Sequence, residues 1–218
     1  MNRAVIFDVD GVLVDSYGAH FESWVALARE TGTEMTEQQF RSNFGRTTRE
    51  IIAETWPEAS LLDEGQLHSL DLRKEALYRK ILRREFPVMD GAVELIDALQ
   101  NVGYLLALGS SGPPENVAAA LDGLDRTNAI NAVVTGEDVR CGKPDPQVFL
   151  VAAQRLGVGP EACAVVEDAP AGVTAANRAG MVSIGLVGTV SQEDLSDATM
   201  VVKSLTELSP HVIGGLLE

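Results

Sequence analysis

A doubly wound α/β domain with a parallel sheet, interrupted by an all-helical insertion, is the fold class this sequence predicts. Three observations predict it. Short apolar runs, each ending in Gly, Ser, Asp or Thr, recur along the chain with helix-like segments between them, the pattern of parallel strands and crossover helices. The stretch from about Tyr17 to Pro87 breaks that rhythm and is rich in helical spacing. The 218 residues are 45% hydrophobic and 22% charged, an ordinary globular composition that buries a substantial core without staples.

The strand candidates, in order, are Ala4–Phe7, Leu105–Leu108, Ala132–Val134, Ala164–Val166 and Ser183–Leu186, with Met200–Val202 a sixth near the end. Helix candidates lie between them at Ala92–Asn101, Pro114–Leu121, Pro146–Leu156 and Ala171–Ala179. Gly103, Gly123, Gly157 and Gly180 follow or close these segments where C-capping glycines belong. Within the insertion, Phe21, Trp24, Val25, Leu27 and Ala28 recur at helical spacing, Thr36/Glu37 carry a helix start signal, and Asp63–Glu85 holds no strand-like run. The Asp15-Ser16 neighbourhood takes the chain out of the sheet domain, as exit turn and helix cap, and Pro87 with the Asp90-Gly91 turn returns it. The expected division is a core of residues 1–15 and 88–218 and a helical insertion of residues 16–87.

Composition excludes several functions. Asp and Glu total 32 against 17 Lys and Arg, so the formal charge is −15 and no basic footprint for nucleic acid exists at whole-chain level. Cys141 and Cys163 are too few for a disulfide framework or a four-thiolate zinc site, and a reduced, intracellular setting is expected. Met1-Asn2-Arg3 runs straight into an apolar strand with no signal-peptide h-region, and no apolar run approaches the ~20 residues of a spanning helix. A cytoplasmic protein without membrane or nucleic-acid partners is expected.

The chemistry gathers at the ends of the candidate strands, where a doubly wound sheet places its ligand. Asp8 and Asp10 follow the first strand and precede Gly11. Paired carboxylates in a binding crevice are costly unless a cation sits between them, and Mg²⁺, a hard ion with oxygen ligands, suits a site that also keeps waters and a phosphate oxygen. Glu167-Asp168 forms a second acidic pair at the end of another strand. Ser110 and Ser111 offer hydroxyl and backbone donors, and Lys143 offers a fixed cation, which together are what a phosphate needs. Taken singly, an Asp pair after a strand is a common turn and capping device, and a Lys-Pro is a common solvated loop. Their conjunction at four strand ends points to one site.

In this order the segments resemble the haloacid dehalogenase superfamily of phosphotransferases. Phe7-Asp-Val-Asp-Gly-Val-Leu-Val-Asp-Ser16 is similar to its first motif, Gly109-Ser-Ser to its second, Lys143-Pro to its third and Glu167-Asp-Ala-Pro-Ala-Gly172 to its fourth. The resemblance implies a Rossmann-like core, and the insertion after the first motif resembles the helical cap of the subgroup holding phosphoglycolate phosphatase, sugar-phosphate phosphatases and β-phosphoglucomutase. It further implies Asp8 as nucleophile forming an aspartyl-phosphate and Asp10 as general acid and base. Mg²⁺ would be held by the Asp8 carboxylate, the Asp10 main-chain carbonyl and Asp168, with Glu167 close by. Ser110, Ser111 and Lys143 would neutralise the transferring phosphoryl group. Metal carboxylates disfavour dehalogenation, which proceeds in this superfamily without a metal.

The insertion carries the substrate expectations. His20 matches a cap histidine of β-phosphoglucomutase that orients the acid/base aspartate; otherwise it is a helix-surface or interface residue. Gly45-Arg46-Thr47-Thr48-Arg49-Glu50 resembles the specificity loop of the subgroup, and whether Arg46 or Arg49 reaches a distal anion stays open. Arg73, Lys74, Arg79, Lys80, Arg83 and Arg84 form a basic run of the kind that usually marks a solvated helix face, while Lys74 also matches a basic cap residue of the mutases. The Gly-Arg-Thr-Thr-Arg-Glu loop and the Glu-Asp-Ala-Pro-Ala-Gly motif favour a phosphatase of a small phosphorylated metabolite over a phosphosugar mutase. A non-catalytic phospho-binding switch ranks third, because a receiver domain has no helical insertion after its first strand. Residues 136–143 fail as a P-loop, and Gly109-Ser-Ser-Gly fails as a nucleophile elbow because Pro113 stands where the last Gly belongs. The enzyme is expected to act as a monomer or weak homodimer.

Overall fold

Six strands, β1 (Ala4–Phe7), β2 (Leu105–Gly109), β3 (Ala132–Val134), β4 (Cys163–Glu167), β5 (Val182–Leu186) and β6 (Met200–Val202), form one parallel sheet in the order β3-β2-β1-β4-β5-β6. The computed structural model describes residues 2–43, 48–56 and 59–218. Among them lie nine α-helices: α1 (Tyr17–Glu30), α2 (Glu37–Asn43), α3 (Thr48–Thr55), α4 (Glu64–Leu82), α5 (Ala92–Asn101), α6 (Pro114–Leu124), α7 (Gln147–Leu156), α8 (Pro170–Arg178) and α9 (Pro210–Leu216). The chain divides into two compact units, Met1–Asp15 with Phe86–Glu218, and Ser16–Glu85. No helix among the described residues is long and apolar enough to cross a membrane.

In the sheet unit β1 enters first, β2 and β3 are laid down on one side of it, and the strand order then switches to its other side for β4, β5 and β6. All four residues of β1 are fully buried, because helices cover both faces. Side chains alternate across the pleat. Ala4 and Ile6 join Ala107, Val165, Phe149 and Ala152 in one cluster beneath α7 and α8, while α5 packs against β2. The register Phe7↔Leu108 and Phe7↔Val166 brings the ends of β1, β2 and β4 level, so Asp8, Ser110 and Glu167-Asp168 leave one edge together.

The helical unit has its own core. Trp24, Leu27 and Ala28 of α1, Phe40 of α2, Ile51 and Ile52 of α3, and Leu77 of α4 pack with Trp56. Trp24 and Trp56 meet edge to face at 5.8 Å, and Trp56 Nε1 donates to Thr31 Oγ1. Two reciprocal caps start its helices: Thr36 with Gln39 for α2, and Asp63 with Gln66 for α4.

Three sequence expectations need correction. Gly123 lies inside α6 and does not close it; the left-handed cap is Asp125 (φ 51), and Gly123 lacks a Cβ because the Phe86 ring packs where one would stand. Ser16 occupies the N-cap position of α1 but makes no capping bond, and its buried Oγ has no partner among the described residues. Arg49 belongs to α3, which begins at Thr48, so it sits on a helix and not in a loop.

Candidate active site

Asp8 follows β1, and its N–H continues the sheet ladder by donating to Val166 O. The chain then turns tightly: the N–H groups of Val12, Leu13 and Val14 all aim at Val9 O, with Gly11 at φ +77. That backbone conformation favours glycine. A Cβ there would also overlap the Asp168 carboxylate. Gly172, in the first turn of α8, does the same for Glu167, whose carboxylate fills the space its Cβ would take. Two glycines therefore make room for two carboxylates.

Asp8, Glu167 and Asp168 are all buried, and one ligand oxygen from each lies within 4.8 Å of the others. Lys143 is the cation set among them. Its Nζ donates to Asp8 Oδ1 at 2.7 Å and to Glu167 Oε1 at 2.7 Å. The same Nζ stands 5.0 Å from the centroid of the Phe149 ring, a favourable place for an ammonium. Glu167 Oε2 accepts from the Ala169 N–H at 2.7 Å, and Asp168 Oδ2 accepts from Thr189 Oγ1 at 3.3 Å.

The electrostatics follow from this count of charges. Burial and the neighbouring Glu167 push Asp8 up to about 7 against the pull of Lys143. Burial, Glu167 and Asp8 push Asp168 up to about 8. Burial alone would lower the Lys143 ammonium, but Asp8 and Glu167 together hold it well above its ordinary value. One ammonium is too little for three buried carboxylates, and oxygen donors short of positive charge are the donor chemistry that a hard divalent ion satisfies. The residues present therefore fit such an ion.

Ser110, buried at the end of β2, donates its N–H to Val134 O, and its Oγ accepts from the Gly112 N–H at 2.9 Å. That contact leaves the hydroxyl proton to donate elsewhere. Ser111 is exposed beside it. Asp10, two residues after Asp8, adds its charge to the causes that raise Asp8.

In the helical unit, His20 stacks flat on Tyr78 at 3.9 Å, and its Nδ1 lies 2.9 Å from Lys74 Nζ. Lys74 is buried, unlike a solvated-face lysine, and pairs with Glu75 at 2.8 Å. Arg73 is bound by both oxygens of Glu30. Arg49 is exposed and ion-paired to Glu64. Arg46 lies outside the described residues.

Reading the sequence missed four participants: Thr189, Phe149, Gly11 as a space-maker, and Gly172 likewise. The two glycines carried a signal, Gly11 within the first motif and Gly172 as the last residue of the Glu-Asp-Ala-Pro-Ala-Gly motif, whereas Thr189 and Phe149 carried none.

A family model for haloacid dehalogenase-like hydrolases matches residues 2–180. The chain is 35% identical to validoxylamine A 7'-phosphate phosphatase of Streptomyces hygroscopicus subsp. limoneus, over 97% of this chain and 99% of that protein. It is 31% identical to β-phosphoglucomutase of Bacillus subtilis, over 97% and 93% respectively. The crystal structure of β-phosphoglucomutase from Clostridium difficile superposes with a TM-score of 0.86 at 26% identity, covering 100% of this chain and 97% of that one. With the motif-bearing strand ends level in one parallel sheet and relatives of this likeness along nearly its full length, the chain belongs to the haloacid dehalogenase-like hydrolases.

Proposed function

We propose that this enzyme is a Mg²⁺-dependent phosphomonoesterase of a small phosphorylated metabolite, of the sugar-phosphate or phosphoglycolate type, working through an aspartyl-phosphate on Asp8. The observation that carries the reading is the Lys143 ammonium bonded at once to Asp8 and Glu167 inside a buried acidic triplet. An ammonium has three donors, and with two engaged the third is directed to a phosphoryl oxygen. The likeness to one phosphatase named for validoxylamine A 7'-phosphate and to another named for phosphorylated carbohydrates supports the substrate class.

In this reading Asp8 attacks phosphorus through a carboxylate oxygen. The ester P–O bond breaks, and Asp10 gives its proton to the departing alkoxide. Asp10 then takes a proton from water as that water attacks the phosphorus of the acyl phosphate, which restores Asp8 and releases inorganic phosphate. Ser110 and Lys143 donate to the phosphoryl oxygens throughout, with Ser111 beside them, and such pre-aimed donors carry most of the catalysis in phosphoryl transfer. The Asp8 carboxylate, the Asp10 main-chain carbonyl and Asp168 would hold Mg²⁺, with Glu167 beside them. When bound, the ion supplies the positive charge that the triplet lacks and that a phosphate dianion requires. Catalysis is assigned to residues 1–15 and 88–218, and substrate choice to residues 16–87, with His20, Arg46, Arg49 and Lys74 as the groups that read the substrate.

A second reading, a phosphosugar mutase, is favoured by the likeness to β-phosphoglucomutases and by the close His20–Lys74 pair. A panel of phosphorylated metabolites and a generic aryl phosphate, assayed for inorganic phosphate with Mg²⁺ and with EDTA, tests the first reading. Mg²⁺-dependent phosphate release supports it. Conversion of β-glucose 1-phosphate with a trace of bisphosphate to glucose 6-phosphate, without phosphate release, replaces it by the second. No turnover on any phosphate leaves a phospho-binding switch.

A further inference from the structure

The strand order makes β5 the neighbour of β4 on the side away from β1, with Glu167 paired to Gly185. Whatever follows β5 therefore leaves the sheet beside whatever follows β4. After β4 comes Asp168; after β5 comes the bend Gly188-Thr189-Val190. Thr189 Oγ1 donates to Asp168 Oδ2 at 3.3 Å.

The three members of the acidic triplet are held differently. Lys143 binds Asp8 and Glu167, and the Ala169 N–H takes the second oxygen of Glu167. Asp168 receives its hydrogen bond from Thr189, across 21 residues of sequence, while its carboxylate rests in the space left by Gly11. A carboxylate with a free χ2 has many orientations, and a hydroxyl on one oxygen selects among them before any cation arrives. Thr189 is itself exposed and adds nothing to the core, so this bond is the feature its side chain contributes.

We infer that Thr189 is a positioning residue: its hydroxyl orients the Asp168 carboxylate and so raises the affinity of the triplet for its divalent ion. The inference rests on the proposed Mg²⁺ reading. Hydrogen bonds to the groups that ligate a metal commonly govern its affinity by 10- to 100-fold, and a contact of this length, longer than a strong O–H···O⁻ bond, belongs at about the lower end of that range.

The test is a calorimetric titration of Mg²⁺ into EDTA-stripped, dialysed enzyme without substrate, for the unmodified protein, Thr189→Val, Thr189→Ser and Asp168→Asn. Thr189→Val keeps the shape and removes the donor. It is expected to bind Mg²⁺ about tenfold more weakly, with Thr189→Ser restored to within about twofold of the unmodified protein. In turnover, the Mg²⁺ concentration giving half-maximal rate rises by the same factor in Thr189→Val, and saturating Mg²⁺ recovers the rate. The thermal midpoints of both variants in EDTA match the unmodified protein, which separates the effect from a folding defect. Unchanged Mg²⁺ affinity in Thr189→Val, or a loss shared equally by Thr189→Ser, overturns the role of the hydroxyl alone. An unmodified protein that takes up no Mg²⁺, or Asp168→Asn binding it as well as the unmodified protein, overturns the metal reading and the Thr189 role with it.

Discussion

The Lys143 ammonium donates to Asp8 Oδ1 at 2.7 Å across 135 residues of sequence. The bond joins the loop before α7 to the end of the central strand, and the same nitrogen reaches Glu167 on β4. Lys143→Met removes this charge from between two of the buried carboxylates. Turnover of an aryl phosphate is expected to fall by about 10²- to 10³-fold, the usual cost of losing one donor to a developing charge. A kcat within tenfold of the unmodified enzyme contradicts the placement of Lys143 on the phosphoryl group.

The glycines that house the carboxylates give a second expectation. Gly172→Ala forces Glu167 to move, and Gly11→Ala both forces Asp168 and strains a φ of +77. Each is expected to weaken Mg²⁺ binding and to lower turnover at least tenfold, as for other changes to the groups that orient metal ligands, read by calorimetry and by steady-state kinetics. Gly18→Ala is the counterpart, since nothing lies within 4 Å of its would-be Cβ on α1. It is expected to stabilise the helical unit by about 0.5 kcal/mol in a denaturant titration.

The raised carboxyls set the pH dependence of the metal-free protein. Asp8 at about 7 and Asp168 at about 8 hold protons in the folded state that the unfolded chain has already released above about 3.8. A raised carboxyl stabilises the fold most at low pH, and that contribution is lost as pH rises through its folded value. In EDTA, the thermal midpoint is expected to drop by several degrees from about pH 5.5 to about pH 8.5. Mg²⁺ abolishes the drop, and its uptake at neutral pH releases protons. A midpoint that rises over this range in EDTA contradicts the assignment of these two groups.

Arg49 and Glu64 pair on the surface of the helical unit, both exposed. Solvent screens such a pair, which therefore adds little to stability, so Arg49→Ala is expected to leave the denaturation midpoint nearly unchanged. If Arg49 reads a distal group of the substrate, KM for the preferred metabolite rises about tenfold in Arg49→Ala, the worth of one charged contact, while KM for an aryl phosphate rises less. Equal rises for both substrates remove Arg49 from substrate choice.

How far the sequence was legible depended on the range of the interaction that fixed each feature. β1, β3 and β6 stand where the apolar runs placed them, and β2, β4 and β5 differ by a residue at one or both ends, because a short apolar run bounded by turn residues marks a strand by local composition alone. The same holds for α5, over Ala92–Asn101. Gly123 misled because its absent Cβ answers to the Phe86 ring, 37 residues away in sequence, and not to a helix terminus. Lys74 sits in a basic run that reads as a solvated face, yet Tyr78, Trp24 and His20 enclose it. At the strand ends, Asp8, Ser110, Lys143, Glu167 and Asp168 announced themselves by chemistry. Thr189 and Phe149 did not, since a threonine in a bend and a phenylalanine on a helix become informative only once the sheet brings them beside Asp168 and Lys143.

The central claim is that Asp8 carries the phosphoryl group, and trapping that group tests it most directly. The enzyme is mixed with Mg²⁺ and substrate, quenched in acid during turnover, reduced with borohydride and mapped by peptide mass spectrometry. An acyl phosphate is converted by borohydride to the corresponding alcohol, so the account predicts homoserine at position 8, and no such product in Asp8→Asn or when substrate is withheld. Homoserine at another aspartate, or phosphate release by Asp8→Asn at the unmodified rate, contradicts it.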